Sequence, residues 1–220
     1  MTQVKICGIT NEEDALYAAQ SGAAALGFIF YSASPRYITP EKAQLIIKKL
    51  PEEIISVGVF VNEKAEEVEK VVQCCNLDFV QLHGDESVEY CSLFTPQLII
   101  KAVNLQSETD LTRAFQYNAA ALLVDSRYAG LYGGTGRKAN WDLALRVKKE
   151  KPLILSGGLN EENVKEALQK VTPQALDVNS GVEISPGKKD HQKIARILEI
   201  VRLTDLQQNN ASLIFTKRRK

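Results

Sequence analysis

The sequence predicts a single (β/α)8 TIM barrel of the α/β class, and three observations carry that prediction. Short apolar runs alternate with amphipathic segments along the chain, eight times over, and such alternation implies a parallel sheet. The 220 residues suit one closed barrel at the small end of its size range. No Gly-x-Gly-x-x-Gly follows the first apolar run, which weakens an open, doubly wound sheet.

Taken in order, strands are predicted over 4–7, 24–30, 54–60, 79–82, 97–103, 121–125, 153–156 and 175–179. Each is a short β-branched or aliphatic run of the kind that fills a buried parallel strand. Helices are predicted over 11–20, 39–50, 64–75, 87–94, 108–118, 141–150, 163–170 and 190–206. The second has Thr39 at its cap, Pro40 in its first turn and Pro51 just past its end, the expected placement of start and stop residues. Residues 1–206 form the barrel; residues 207–220 change character. That tail is polar at Gln207, Gln208, Asn209 and Asn210 and basic at Lys217, Arg218, Arg219 and Lys220. It reads as a solvated terminus, with docking of Leu213, Ile214 and Phe215 on the barrel's underside left open.

Composition excludes several functions. The chain is 45% hydrophobic and 25% charged, ordinary for a globular domain. Its 27 basic and 27 acidic residues cancel, so charge makes no case for nucleic acid or an anionic membrane. No apolar run approaches the roughly 20 residues of a membrane span, and no secretory signal opens the chain. Cys7, Cys74, Cys75 and Cys91 lack zinc spacing, and free thiols suit a cytoplasmic location. Cys74, Cys75 and Cys91 read as small buried apolar residues. With only two histidines, His83 and His191, no His-rich metal site is available. The oligomeric state stays open between monomer and homodimer.

The chemistry belongs at the carboxyl ends of the strands. In the first strand Lys5 and Cys7 share one face and Val4 and Ile6 the other. The apolar pair packs against helices, and the polar pair points into the enclosed space. Gly8 allows a sharp departure that leaves the Cys7 thiol at the rim. By the same parity Leu123 and Asp125 face one way, so Asp125 ends an inward row as a candidate acid or base. The next helix starts some fifteen residues later, too far for Asp125 to cap it. His83 is either a substrate contact or a structural hydrogen-bonding group, and His191 faces solvent. Ser156, Gly157 and Gly158 follow the seventh strand; Asp177, Asn179, Ser180 and Gly181 end or follow the eighth. Glycine-rich turns there can aim backbone N–H groups at a phosphate, although they can also be ordinary turn glycines. Arg36 lies in the loop after the second strand. The longest loop, with Gly130, Gly133, Gly134 and Gly136, has the length of a lid over Asp125.

Several stretches, read together and in order, resemble phosphoribosylanthranilate isomerase. They are Lys5-Ile6-Cys7-Gly8-Ile9-Thr10, Ser34-Pro35-Arg36-Tyr37-Ile38, Val80-Gln81-Leu82-His83-Gly84, Gly133-Gly134-Thr135-Gly136 and Leu155-Ser156-Gly157-Gly158-Leu159. Ser180-Gly181-Val182-Glu183 and Pro186-Gly187-Lys188-Lys189-Asp190 complete the set. The resemblance runs from Val4 to about Leu203 and leaves out the tail. It implies a cofactor-free Amadori rearrangement of N-(5-phosphoribosyl)anthranilate in tryptophan biosynthesis. It also implies that Cys7 is the general base, Asp125 the general acid and Arg36 the anchor of the anthranilate carboxylate, with the two glycine loops holding phosphate. Two departures stand out: Asn179 where the family commonly has serine, and Ala139-Asn140 where it commonly has Phe-Asp before Trp141.

Three rivals are weighed against this reading. The related isomerase of histidine biosynthesis, or a bifunctional barrel serving both pathways, would use aspartates as both acid and base, and Cys7 argues against it. A non-catalytic phosphate-binding barrel would need neither Cys7 nor Asp125. A free thiol has a pKa of about 8.5, and Lys5 is expected to favour the thiolate.

Overall fold

The computed structural model describes residues 1–125, 140–206 and 213–217. Eight parallel strands close in chain order: β1 (Gln3–Cys7), β2 (Ala25–Ile29), β3 (Ile55–Phe60), β4 (Phe79–Leu82), β5 (Ile99–Asn104), β6 (Ala121–Asp125), β7 (Leu153–Leu155) and β8 (Ala175–Val178). β8 returns to β1 with Lys5 level with Asp177 and Gln3 level with Ala175. Eight helices follow the strands: α1 (Glu12–Gln20), α2 (Pro40–Ile47), α3 (Ala65–Cys75), α4 (Val88–Cys91), α5 (Glu108–Gln116), α6 (Trp141–Glu150), α7 (Val164–Val171) and α8 (His191–Asp205).

The caps explain where the helices begin. The side chain of Asn11 accepts the Asp14 N–H, Thr39 that of Lys42 and Asn140 that of Leu143, each satisfying an N–H that the first turn leaves unpaired. Asn140 therefore caps α6 in place of aspartate. The predicted helix at 87–94 shrinks to α4, four residues long. Residues 97–98, expected as strand, belong to a 3-10 turn over Pro96–Leu98 with proline at its start. A short antiparallel hairpin not anticipated from the pattern, β9 (Glu183–Ser185) with β10 (Lys188–Lys189), precedes α8.

Parity divides the strands as expected. Val4, Ile6, Leu26, Phe28, Leu122 and Val124 pack against the helices. Ala25, Ile55, Phe79, Ile100, Leu123 and Ile154 fill the barrel interior. Phe215 joins that interior cluster, edge-on to Phe79 at 6.1 Å between ring centres. The Gln3 side chain grips its backbone: Nε2 donates to the Phe215 carbonyl at 2.7 Å, and Oε1 accepts from the N–H groups of Ile214 (2.8 Å) and Phe215 (2.7 Å). Lys217 reaches Asp78 at 2.7 Å. The segment 213–217 is therefore docked across the amino-terminal end of the barrel. The rest of the tail and the candidate lid loop lie outside the described residues.

Two further expectations change. Cys75 and Cys91 are buried but Cys74 is exposed, because Val68 and Cys75, seven positions apart, share the inward face of α3 and Cys74 is turned away from it. His191, expected to face solvent, stacks on Tyr17 at 4.0 Å and sits 2.9 Å from Asp14. Among the described residues no helix is long and apolar enough to cross a membrane.

Candidate active site

The inward row of β1 runs from Gln3 through Lys5 to Cys7. Lys5 is wholly enclosed, and its ammonium lies 2.6 Å from Asp177 on the neighbouring strand. An ammonium so enclosed requires a counter-ion. Burial would pull its pKa down, but Asp177 and Cys7 together hold it above the ordinary value. Asp177, expected among the substrate contacts, thus sits inside the barrel and holds Lys5.

Cys7 ends the row beside Gly27 of β2. A Cβ on Gly27 would lie 2.7 Å from Cys7 Sγ and 3.1 Å from Lys5 Nζ, so the missing side chain is the space in which thiol and ammonium meet. Gly8 then leaves the strand at φ +75°, in the left-handed region that suits glycine. The thiol is buried, and that burial raises its pKa; the charge of Lys5 opposes the rise without cancelling it. Lys5 therefore favours the thiolate, as expected, but burial outweighs it in the free chain.

Asp125 closes the inward row of β6, with Oδ2 3.1 Å from His83 Nε2. His83 Nδ1 lies 2.7 Å from Gln81 Nε2. With Gln81 Nε2 as donor to Nδ1, His83 can donate through Nε2 to Asp125. Gln81 points inward from β4, and its buried Oε1 has no hydrogen-bond partner among the described residues.

Gly157 and Gly158 adopt φ +89° and +63°, which turns the backbone back after Ser156. Asn163 Nδ2 fixes the turn by donating to the Gly158 carbonyl at 2.8 Å. Gly181 lies so close to this loop that a Cβ would fall 1.9 Å from the Leu159 carbonyl oxygen. The loops after β7 and β8 therefore meet where Gly181 packs on Leu159 and Asn160. Asn179 Oδ1 accepts from Lys189 Nζ at 3.1 Å, which leaves its Nδ2 as the donor end.

Arg36 is held beneath its loop. Its N–H donates to Ser34 Oγ at 3.1 Å, and its Cδ packs so close to Gly8 that a Cβ there would lie 2.9 Å from it. Nε donates to Glu183 Oε1 at 2.9 Å and Nη2 to Oε2 at 2.7 Å. Glu183, Lys189, Gln81 and Gly27 gain roles that spacing alone did not assign. The stretch around Glu183 and Lys189 was visible as a motif but carried no signal of a partner at Arg36.

An enclosed thiol, an inward carboxylate with a histidine beside it, and two adjoining glycine loops at one barrel mouth suit the isomerase class of (β/α)8 barrel. The family model described as N-(5'phosphoribosyl)anthranilate (PRA) isomerase matches residues 4–200. The N-(5'-phosphoribosyl)anthranilate isomerase of Syntrophus aciditrophicus is 52% identical over 202 residues, 92% of this chain and 88% of the relative. Monomers derived from the dimeric phosphoribosylanthranilate isomerase of Thermotoga maritima superpose with TM-score 0.82 at 43% identity, over 92% of this chain and 99% of the other. A phosphoribosylanthranilate isomerase bound to reduced 1-(o-carboxyphenylamino)-1-deoxyribulose 5-phosphate superposes with TM-score 0.81, at the same identity and coverage. The chain belongs to the phosphoribosylanthranilate isomerase family.

Proposed function

We infer that the chain converts N-(5-phosphoribosyl)anthranilate to 1-(2-carboxyphenylamino)-1-deoxyribulose 5-phosphate, the isomerisation step of tryptophan biosynthesis. The observation that carries the reading is the pair of inward side chains, Cys7 and Asp125, ending strands three places apart around one barrel. They can approach a bound sugar from different sides.

Asp125 delivers a proton to the furanose oxygen, the bond from C1′ to that oxygen breaks, and the anthranilate nitrogen carries the resulting iminium. His83 can keep its bond to Oδ2 while the other carboxyl oxygen gives up the proton. The iminium acidifies the hydrogen on C2′. Cys7, as thiolate, removes it, and the enolamine then ketonises by gaining a proton at C1′ and losing one from the C2′ hydroxyl. The iminium and the Lys5 ammonium both favour the thiolate while the substrate is bound, which offsets the upward pull of burial. Phosphate is held by the loops at Ser156, Gly157 and Gly158 and at Asn179, Ser180 and Gly181. Arg36 binds the aromatic carboxylate. No step calls for a metal or organic cofactor. The substrate is a small molecule met in the cytosol. A Thermotoga maritima relative is described as dimeric, and light scattering distinguishes monomer from dimer here.

The test is the loss of fluorescence of freshly made phosphoribosylanthranilate. Cys7→Ser and Asp125→Asn should each lose roughly 10²–10⁴-fold in turnover while folding normally. Asp125→Asn should keep most of its substrate affinity and be slow in ring opening in a single turnover. Serine activity near wild type, or ring opening at the wild-type rate in Asp125→Asn, refutes the assignment concerned.

A further inference from the structure

The guanidinium of Arg36 reaches the mouth with one of its two edges already taken. Glu183 occupies the side formed by Nε and Nη2, which leaves the end formed by Nη1 and the second Nη2 hydrogen as the other fork. A guanidinium can present both. Glu183 is itself saturated. Besides Arg36, its Oε1 accepts from Lys189 Nζ at 2.9 Å and from the Gly187 N–H at 3.2 Å. Gly187 stands at φ +81° in the β9–β10 turn, and its carbonyl accepts from Thr10 Oγ1. The hairpin is thereby pinned to the start of α1.

Two features separate this arrangement from an ordinary ion pair. Arg36 keeps 12% of its side chain exposed while Glu183 keeps 4% and Lys189 none, so the buried part of the cluster lies behind the guanidinium. The cluster also joins two cations to one anion. Burial draws the Lys189 pKa down while Glu183 holds it up, so these two form a buried pair at the back and leave the Arg36 charge in front to suit a bound anion. Lys189 offsets the repulsion that Glu183 would otherwise exert on a carboxylate arriving at Arg36. Arg36 and Lys189 hold the Glu183 carboxyl below its usual range despite burial.

We propose that Glu183, charged and braced by Lys189, is a positioning residue that aims the outer fork of Arg36 at the aromatic carboxylate of the substrate. The inference rests on the reading of Arg36 given above. It makes carboxylate selectivity a property of the hairpin after β8 as much as of the loop after β2.

The experiment compares inhibition by reduced 1-(2-carboxyphenylamino)-1-deoxyribulose 5-phosphate and by its analogue lacking the ring carboxylate. It is run on wild type, Glu183→Gln, Glu183→Asp and Arg36→Ala. Wild type should prefer the carboxylate. Arg36→Ala should lose most of that preference. Glu183→Gln should lose about tenfold of it, the equivalent of one charge-assisted hydrogen bond, with KM rising more than kcat falls. Affinity for ribitol 5-phosphate, which carries no ring, should stay near wild type in both Glu183 variants. Glu183→Asp keeps the charge but withdraws it by one methylene, and it should fall between Glu183→Gln and wild type. It also carries the test if Glu183→Gln does not fold. If Arg36→Ala loses the preference and folded Glu183 variants keep all of it, the positioning role is wrong and the reading of Arg36 stands. If Arg36→Ala itself keeps the preference, that reading fails and this inference falls with it.

Discussion

Gly27→Ala isolates the space around the thiol without touching any group that carries the chemistry. Gly27 sits level with Cys7 across β1 and β2. An alanine Cβ would stand 2.7 Å from Sγ, 3.1 Å from Lys5 Nζ and 3.2 Å from the Cys7 Cα. Non-bonded heavy atoms prefer roughly 3.5–4.0 Å, so the thiol must move by about 1 Å. The nearby Cα belongs to the barrel wall, which leaves rotation of Cys7 and retreat of Lys5 as the available adjustments. A displacement of about 1 Å at a reacting group costs on the order of 10²-fold in rate. Forcing one methyl group into a packed interior costs about 1–3 kcal/mol, within the usual reserve of a domain. Gly27→Ala should therefore fold, retain substrate affinity through its phosphate and carboxylate anchors, and lose about a hundredfold in kcat. Fluorescence decay of the substrate gives kcat, and urea unfolding gives stability. A folded variant with kcat within about twofold of wild type would refute the claim that this void sets the thiol's position.

Phe215→Ala should lower stability by about 3–5 kcal/mol, the usual result of emptying a buried aromatic site, and leave kcat alone because Phe215 lies at the opposite end of the barrel; denaturant melts and turnover read the two effects separately. Burial raises the Cys7 pKa in the free chain, so alkylation of Cys7, read by peptide mapping, should lag behind that of the exposed Cys74 and gain on it as pH rises; equal rates at neutral pH would contradict this. Burial also pushes Cys75 up to about 12 and Cys91 up to about 11. The folded chain then keeps protons that the unfolded chain releases from about pH 8.5, so these thiols contribute stability that is intact below that pH and lost as pH rises toward 11–12. Thermal melts along an alkaline series should show the decline, and replacing both residues with valine should flatten part of it.

The barrel was legible because its signals are local and repeated. The alternation in β1 placed Lys5 and Cys7 inside and Val4 and Ile6 outside, and the same parity held at Leu123 and Asp125. Caps at Thr39 and Asn140 could be read from residue type and position. What could not be read was pairing across the fold. Lys5 meets Asp177 only because β8 closes on β1 in one register, and Arg36 meets Glu183 across 147 positions of chain. Gly27 lies within a continuous apolar run, and nothing in that run distinguishes a gap needed by a thiol from a glycine of no consequence. The thiol's ionisation depends on the balance of burial and neighbouring charge, which a list of residues does not contain. Docking at the amino-terminal end turned on Gln3, a polar residue with no visible reason to start an inward row until Ile214 and Phe215 arrive at it.

The contact between Gln3 and Phe215 joins residues 212 positions apart. Thr2 likewise bonds through Oγ1 to Asp205 at 2.9 Å, so the start of β1 waits for partners more than 200 positions further along the chain. Contacts of such long sequence separation form late. Until residue 217 clears the ribosome, Ile55, Phe79 and Ile100 face an unsealed barrel end, and exposed apolar surface of that kind makes nascent chains sticky. Closure of the barrel base thus waits on residues 213–217, and a chain cut short before them would have every reacting group in place and an open, aggregation-prone base.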